Sequence, residues 1–114
     1  MVVGQHNKMN FLKKIYYEKY TKRTYSLTGV DLIIDHLIRN ISKGVYIDVG
    51  CNHPIKFNNT YLLHKRGWSG INIDSDHTSI ELFNKFRSND FNVRNIVSDD
   101  ESVKKLYHYH KSSA

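Results

Sequence analysis

The sequence predicts an α/β fold: a Rossmann-like, doubly wound, mostly parallel sheet with helices on both faces, truncated after about the fourth strand. Three observations predict it. Short runs rich in β-branched residues recur at residues 45–49, 70–74 and 92–97. One helix-length stretch separates each from the next, the spacing that right-handed parallel crossovers require. Each run also ends in polar or acidic residues, Asp48-Val49-Gly50, Asp74-Ser75-Asp76 and Ser98-Asp99-Asp100, at the edge where open α/β sheets bind ligands.

The elements follow in order. Residues 1–23 form a basic amphipathic extension in which Phe11, Leu12, Ile15, Tyr16 and Tyr20 recur at helical spacing, with lysines on the other side. The remaining residues, 24–114, form the partial domain. Val30, Ile33, Ile34, Leu37, Ile38 and Ile41 mark a helix face, with Thr28 as its N-cap and Lys43-Gly44 closing it. The strand at 45–49 is suited to burial on both faces. Residues 50–57 form a loop, since Pro54 forbids an uninterrupted helix. A helix over 59–66 stops at Gly67, and a strand follows at 70–74. Thr78-Ser79-Ile80-Glu81 has capping-box spacing and opens a helix to about Arg87. Strands at 92–97 and 102–109 complete the series.

The formal charge of +6 over 114 residues resembles a nucleic-acid footprint until it is located. Lys8, Lys13, Lys14, Lys19, Lys22 and Arg23 precede Thr24 against Glu18 alone, and beyond it eleven basic residues face ten acidic ones. The basicity therefore belongs to the extension, which suits a membrane surface, RNA or an acidic partner. The plainer expectation is a helix that packs its aromatic side on the domain and solvates its lysines. No apolar run approaches the roughly 20 residues that span a bilayer, and neither a transmembrane segment nor a secretory signal is expected. The single cysteine, Cys51, excludes a disulfide framework or multi-cysteine zinc module and suits a reducing compartment, so a cytoplasmic location is expected.

Asp74 follows Gly50 by a little over 20 residues, the interval at which a carboxylate accepts hydrogen bonds from a ribose diol. The G-x-G-x-x-G phosphate pattern is absent, and the Asp48 carboxylate would repel a pyrophosphate. Opposite charges at about 4 Å gain on the order of 4 kcal/mol at intermediate dielectric before desolvation. The sign favours a sulfonium nucleoside, S-adenosylmethionine, over NAD or ATP.

Tyr46-Ile47-Asp48-Val49-Gly50-Cys51-Asn52-His53-Pro54, Asn59-Thr60-Tyr61 and Gly67-Trp68-Ser69-Gly70-Ile71-Asn72-Ile73-Asp74 resemble the FkbM-type S-adenosylmethionine-dependent methyltransferases. Tyr25-Ser26, Gly29, Asp31 and Val97-Ser98-Asp99 extend the resemblance, which runs from about Thr24. It implies O-methyl transfer to a sugar or glycan-like hydroxyl. It places Asp48, Gly50 and Asn52 at the methionine end of the cofactor, Asp74 on the ribose, and Ser98 with Asp99 near the adenine. Pro54 stands where many relatives have a second glycine, and Val30 where an acidic residue is common. The resemblance breaks off near the fourth strand, so the chain reads as a truncated cofactor-binding half.

Each residue has a structural alternative. Asp48 suits a helix cap or a lysine pair, Asp76 a cap, and Asp99 a solvated turn. His53 is the weak candidate for a catalytic base, against an ordinary exposed loop histidine. His108 and His110 face one side of the predicted fourth strand without a third ligand, so no metal is expected. Cys51 reads as a small loop residue, and Trp68 as a packing residue. The expected partners are a small-molecule or glycan acceptor, and a second copy or a missing carboxyl-terminal half to cover the open sheet; DNA is not expected. The alternative function is a non-catalytic module that docks its basic N-terminal helix on RNA or anionic lipid.

Overall fold

The computed structural model describes residues 3–19, 21–103 and 105. Four helices and three strands alternate: α1 (Val3–Glu18), α2 (Val30–Leu37), β1 (Val45–Val49), α3 (Tyr61–Lys65), β2 (Ser69–Asp74), α4 (His77–Phe86) and β3 (Phe91–Arg94). The strands form one parallel sheet in the order β1-β2-β3, with Ile47 opposite Ile71 and Ile73 opposite Val93. The α/β class and parallel pairing therefore agree with the sequence reading. No helix among the described residues is long and apolar enough to cross a membrane.

The strand order determines which face is covered. The connections β1 to β2 and β2 to β3 run the same way across the sheet, and the general right-handedness of parallel crossovers carries both their helices across the same face. Both α3 and α4 pack on β2, and α4 also packs on β3. Tyr46, Gly70 and Asn72 point to that side and are buried. On the opposite side Val45, Ile47, Val49 and Phe91 are 57–70% exposed. The β-branched run of β1, expected to be buried on both faces, is thus covered on one. A second layer of helices, as a doubly wound sheet requires, is not found among the described residues.

Several boundaries differ from expectation. The periodicity through Ile38 and Ile41 outlasts α2, which ends at Leu37. Arg66 reaches across from α3 to the carbonyls of Ile38 (3.3 Å) and Ile41 (2.6 Å), while its Nη1 holds Asp35 of α2 at 2.8 Å. Gly44 serves packing instead of a C-cap: a Cβ there would overlap the Trp68 ring. Gly29, in a left-handed conformation with φ 77°, occupies the N-cap predicted for Thr28. Asp76 caps α4 by accepting from the backbone N–H of Ser79 at 2.9 Å, so the capping-box reading of Thr78 was misplaced and the capping role of Asp76 holds.

Two further expectations change. The aromatic side of α1 was expected to pack on the domain, but Phe11, Leu12, Ile15 and Tyr16 are 49–63% exposed, and α1 packs on no other element among the described residues. Most of the predicted fourth strand, with His108 and His110, lies outside the described residues; Ser102, Val103 and Lys105 are not in a strand. The predicted third strand ends at Arg94, three residues early.

Candidate functional site

The carboxyl ends of the three strands meet around an open cavity of about 220 Å³. Val49, Ile73, Ile96 and Val97 supply apolar wall, while Gly50, Asp74, Ser75 and Asn95 supply polar edge. Asp48 and Asp74 lie on neighbouring strands two register positions apart, so both sit at this rim and on the same face of the sheet. Of the acidic groups expected at three strand ends, those of the first two, Asp48 and Asp74, lie together here.

Asp74 organises the rim. Its Oδ2 accepts the backbone N–H of Asn52 at 2.8 Å, and its Oδ1 that of Asp76 at 2.9 Å. One side chain thus draws the loop after β1 over the end of β2 and fixes the approach to α4. Gly50 (φ 70°) and Asn52 (φ 58°) both adopt the left-handed conformation that this sharp turn needs. The amides of Gly50 and Cys51 both donate to the Ile73 carbonyl, at 2.8 and 3.2 Å. A carboxylate has about four acceptor positions, so Asp74 retains capacity for ligand hydroxyls.

Asp48 has a different task. Its Oδ2 accepts from Thr60 Oγ1 at 2.8 Å and Asn58 Nδ2 at 3.1 Å, and it does not line the cavity. Behind these partners lies Arg87, 1% exposed, which the sequence reading places only at the approximate end of a helix. Its guanidinium donates to Thr60 Oγ1 (2.8 Å), Asn58 Oδ1 (2.7 Å) and the Pro54 carbonyl (2.5 Å). It also lies 5.0–5.9 Å from the ring centroids of Phe83, Tyr61 and Tyr46. Asn58 Oδ1 also takes the Thr60 N–H at 2.9 Å, which fills its acceptor capacity. The Thr60 hydroxyl proton therefore goes to Asp48, and the Asn58 amide nitrogen must face Asp48 and the Cys51 carbonyl.

The network continues from Arg87 through the Tyr46 hydroxyl (3.4 Å) to Asp90 (2.5 Å), which also accepts from Asn72 and the Gly70 N–H. Burial, then the hydrogen bond to Asp90, pushes the Tyr46 phenol well above its usual range. Sequence reasoning missed Asn58, Thr60, Asn72, Arg87 and Asp90. The one available signal was Asn72, a polar residue between Ile71 and Ile73 on the inward side of a strand.

The remaining candidates separate. His53 Nδ1 accepts the backbone N–H groups of Ile55 and Lys56, both at 3.1 Å. Its lone pair at that nitrogen is committed to shaping the loop. Cys51 is 2% exposed, and burial followed by the Asp48 and Asp74 carboxylates pushes its thiol up to about 12, which keeps it neutral and unreactive. Ser98 and Asp99 lie in an exposed segment beyond Val97, hydrogen-bonded to each other at 3.4 Å, and do not line the cavity. Gly50 and Asp74 are the predicted cofactor residues at the cavity wall; Asp48 and Asn52 set the loop beside it. No family model, no curated protein and no solved structure matches the chain.

Proposed function

We propose that the chain binds S-adenosylmethionine at the carboxyl rim of the sheet and belongs to the FkbM-type methyltransferases, as the donor half of a doubly wound domain. The observation that carries this reading is Asp74, a strand-end carboxylate that holds the Gly50–Asn52 turn and borders a cavity with apolar walls. Ile73, Ile96 and Val97 offer surface to a purine, and Asp74 offers acceptors to a ribose diol. The nearby acidic charge suits a sulfonium and opposes a pyrophosphate.

S-adenosylmethionine would supply an electrophilic methyl group there. The chain's own contribution is placement: Asp74 and the backbone it gathers fix one end of the ligand, which lowers the entropic cost of reaching a near-attack arrangement. The acceptor expected from the resemblance is a sugar or glycan-like hydroxyl. With Nδ1 of His53 committed to the loop, the base for that hydroxyl is sought elsewhere.

Calorimetric titration with S-adenosylmethionine tests the reading. Asp74→Ala is expected to weaken binding by about 1.5–3 kcal/mol, the range for a hydrogen bond to a charged group. Equal affinity in the variant would remove Asp74 from the site. A second reading rests on α1, whose exposed Phe11, Leu12 and Ile15 accompany Lys13 and Lys14 on a helix with no packing partner among the described elements. Such a helix suits docking on RNA or anionic lipid; the test is salt-sensitive binding that disappears when residues 1–23 are removed.

A further inference from the structure

On the other side of the 50–58 loop lies a second concave region of different chemistry. A cleft of about 340 Å³ is bordered by Arg23, Thr24, Tyr25, Lys56 and Phe57, with no carboxylate in its lining. It adjoins a cleft of about 260 Å³ that shares Arg23 and Tyr25 and adds Lys22 and Lys65. The acid of that second cleft, Asp35, is already engaged by Arg66 at 2.8 Å and Lys22 at 4.0 Å. Asp31, behind the first cleft, is 1% exposed and accepts hydrogen bonds from Thr24, Tyr25, Ser26 and Leu32. Arg23 therefore borders both clefts, with Lys56 on the first and Lys65 on the second, and no salt bridge to a carboxylate joins any of the three among the described residues.

Aromatic rings interleave these cations. Arg23 and Lys65 lie 5.3 and 5.1 Å from the Tyr25 ring centroid, and Lys65 Nζ donates to the Tyr25 hydroxyl at 2.9 Å. Phe57 is 57% exposed at the lip, and its backbone is left-handed with φ 52°. A bulky side chain in that conformation is strained, and nothing gained by burial explains displaying it to water. A strained, exposed ring in one cleft with Arg23 and Lys56, neither in a salt bridge among the described residues, is an arrangement suited to stacking a nucleobase while binding its phosphates.

The geometry points to a nucleoside diphosphate site in this groove, with phosphates between Arg23, Lys56 and Lys65 and the base against Phe57. It does not depend on the methyl-donor reading, because none of these residues lines the rim cavity. The loop links the two regions: the Asn58 N–H donates to the Tyr25 carbonyl at 3.0 Å, while the Asn58 side chain holds Asp48.

The test is equilibrium titration of the full chain with UDP, uridine, inorganic pyrophosphate and UDP-glucose. UDP is expected to bind at least tenfold more tightly than uridine or pyrophosphate, showing that charge and ring both contribute. Comparable affinity for UDP-glucose would identify the unit as one carried on a sugar; preference for UDP would identify the free nucleotide. Arg23→Gln and Lys56→Gln should each weaken UDP about tenfold. Phe57→Gly should weaken UDP while raising Tm, since glycine relieves the backbone strain; a purely structural Phe57 would leave UDP affinity unchanged. UDP binding is expected whether or not S-adenosylmethionine binds the same wild-type chain, so failure here is distinct from failure of the rim site. UDP binding no tighter than uridine, unchanged UDP affinity in both charge variants, or unchanged UDP affinity in Phe57→Gly would overturn the assignment.

Discussion

The two faces of the β-sheet invert the usual arrangement of polar and apolar groups. The covered face carries Tyr46, Asn72 and Asn92, joined to Asp90 and the buried Arg87 by hydrogen bonds, and Asp48, which reaches Arg87 through Asn58 and Thr60. The other carries Val45, Ile47, Val49 and Phe91, all largely exposed. Burial here follows topology: both crossover helices lie on one side, so that side is interior whatever its side chains. The polar interior is tolerable because most of it is paired, although Asn72 Oδ1 and Arg87 Nε are buried without a hydrogen-bond partner among the described residues. Pairing of that kind fixes one geometry where an apolar core would permit several. The loop that closes the rim cavity inherits this rigidity through Asn58 and Thr60.

The sharpest way to break the comparison is at its hub. Arg87→Leu is expected to cost about 3–5 kcal/mol in urea unfolding, because Asn58 Oδ1, Thr60 Oγ1 and the Pro54 carbonyl lose a buried donor together. A loss below about 1 kcal/mol would show that the network contributes little. Phe83→Ala, at the fully buried ring beneath the guanidinium, should cost about 3–5 kcal/mol by cavity formation. Gly70→Ala should cost about 1–3 kcal/mol, since the new methyl overlaps the Tyr46 ring in the middle of the covered face.

A smaller effect depends on pH. Burial would raise the Asp31 carboxyl, but hydrogen bonds led by Thr24 outweigh it and hold the group below its ordinary 3.8. A depressed folded-state value gives stability that is complete above the unfolded value and lost as pH falls through the folded one. The stability gap between the wild type and Asp31→Asn should therefore be constant near neutrality and shrink below about pH 4, as followed by urea midpoints. A gap that widens on acidification would contradict the assigned direction. The smallest effect belongs to the bare face. Ile47→Ser should change stability by no more than about 0.5 kcal/mol, whereas a cost above about 2 kcal/mol would mean that something covers Ile47 in solution.

The legible parts of the fold were those where local pattern and tertiary position agree. β1, β2 and α4 carry strong local signals and fall within a residue or two of expectation. The end of α2 was illegible because Ile38 and Ile41 continue its period, while the chain stops where Arg66, 25 or more residues away, takes the free carbonyls. Asp74 and Gly50 were readable because strand-end chemistry and spacing are local. Arg87 was not, because its partners come from four separate segments and nothing at residue 87 marks it as buried. The bare side of β1 was misjudged for a related reason: a run such as Val-Tyr-Ile-Asp-Val does not record how many faces will be covered.

The rim itself can be tested by following backbone amide resonances while S-adenosylmethionine is added. The account predicts saturable shifts at Gly50, Asn52, Ser75 and Asn95, with Val45 and Ile47 unmoved. Shifts absent from the rim, or concentrated on the bare face, would contradict it.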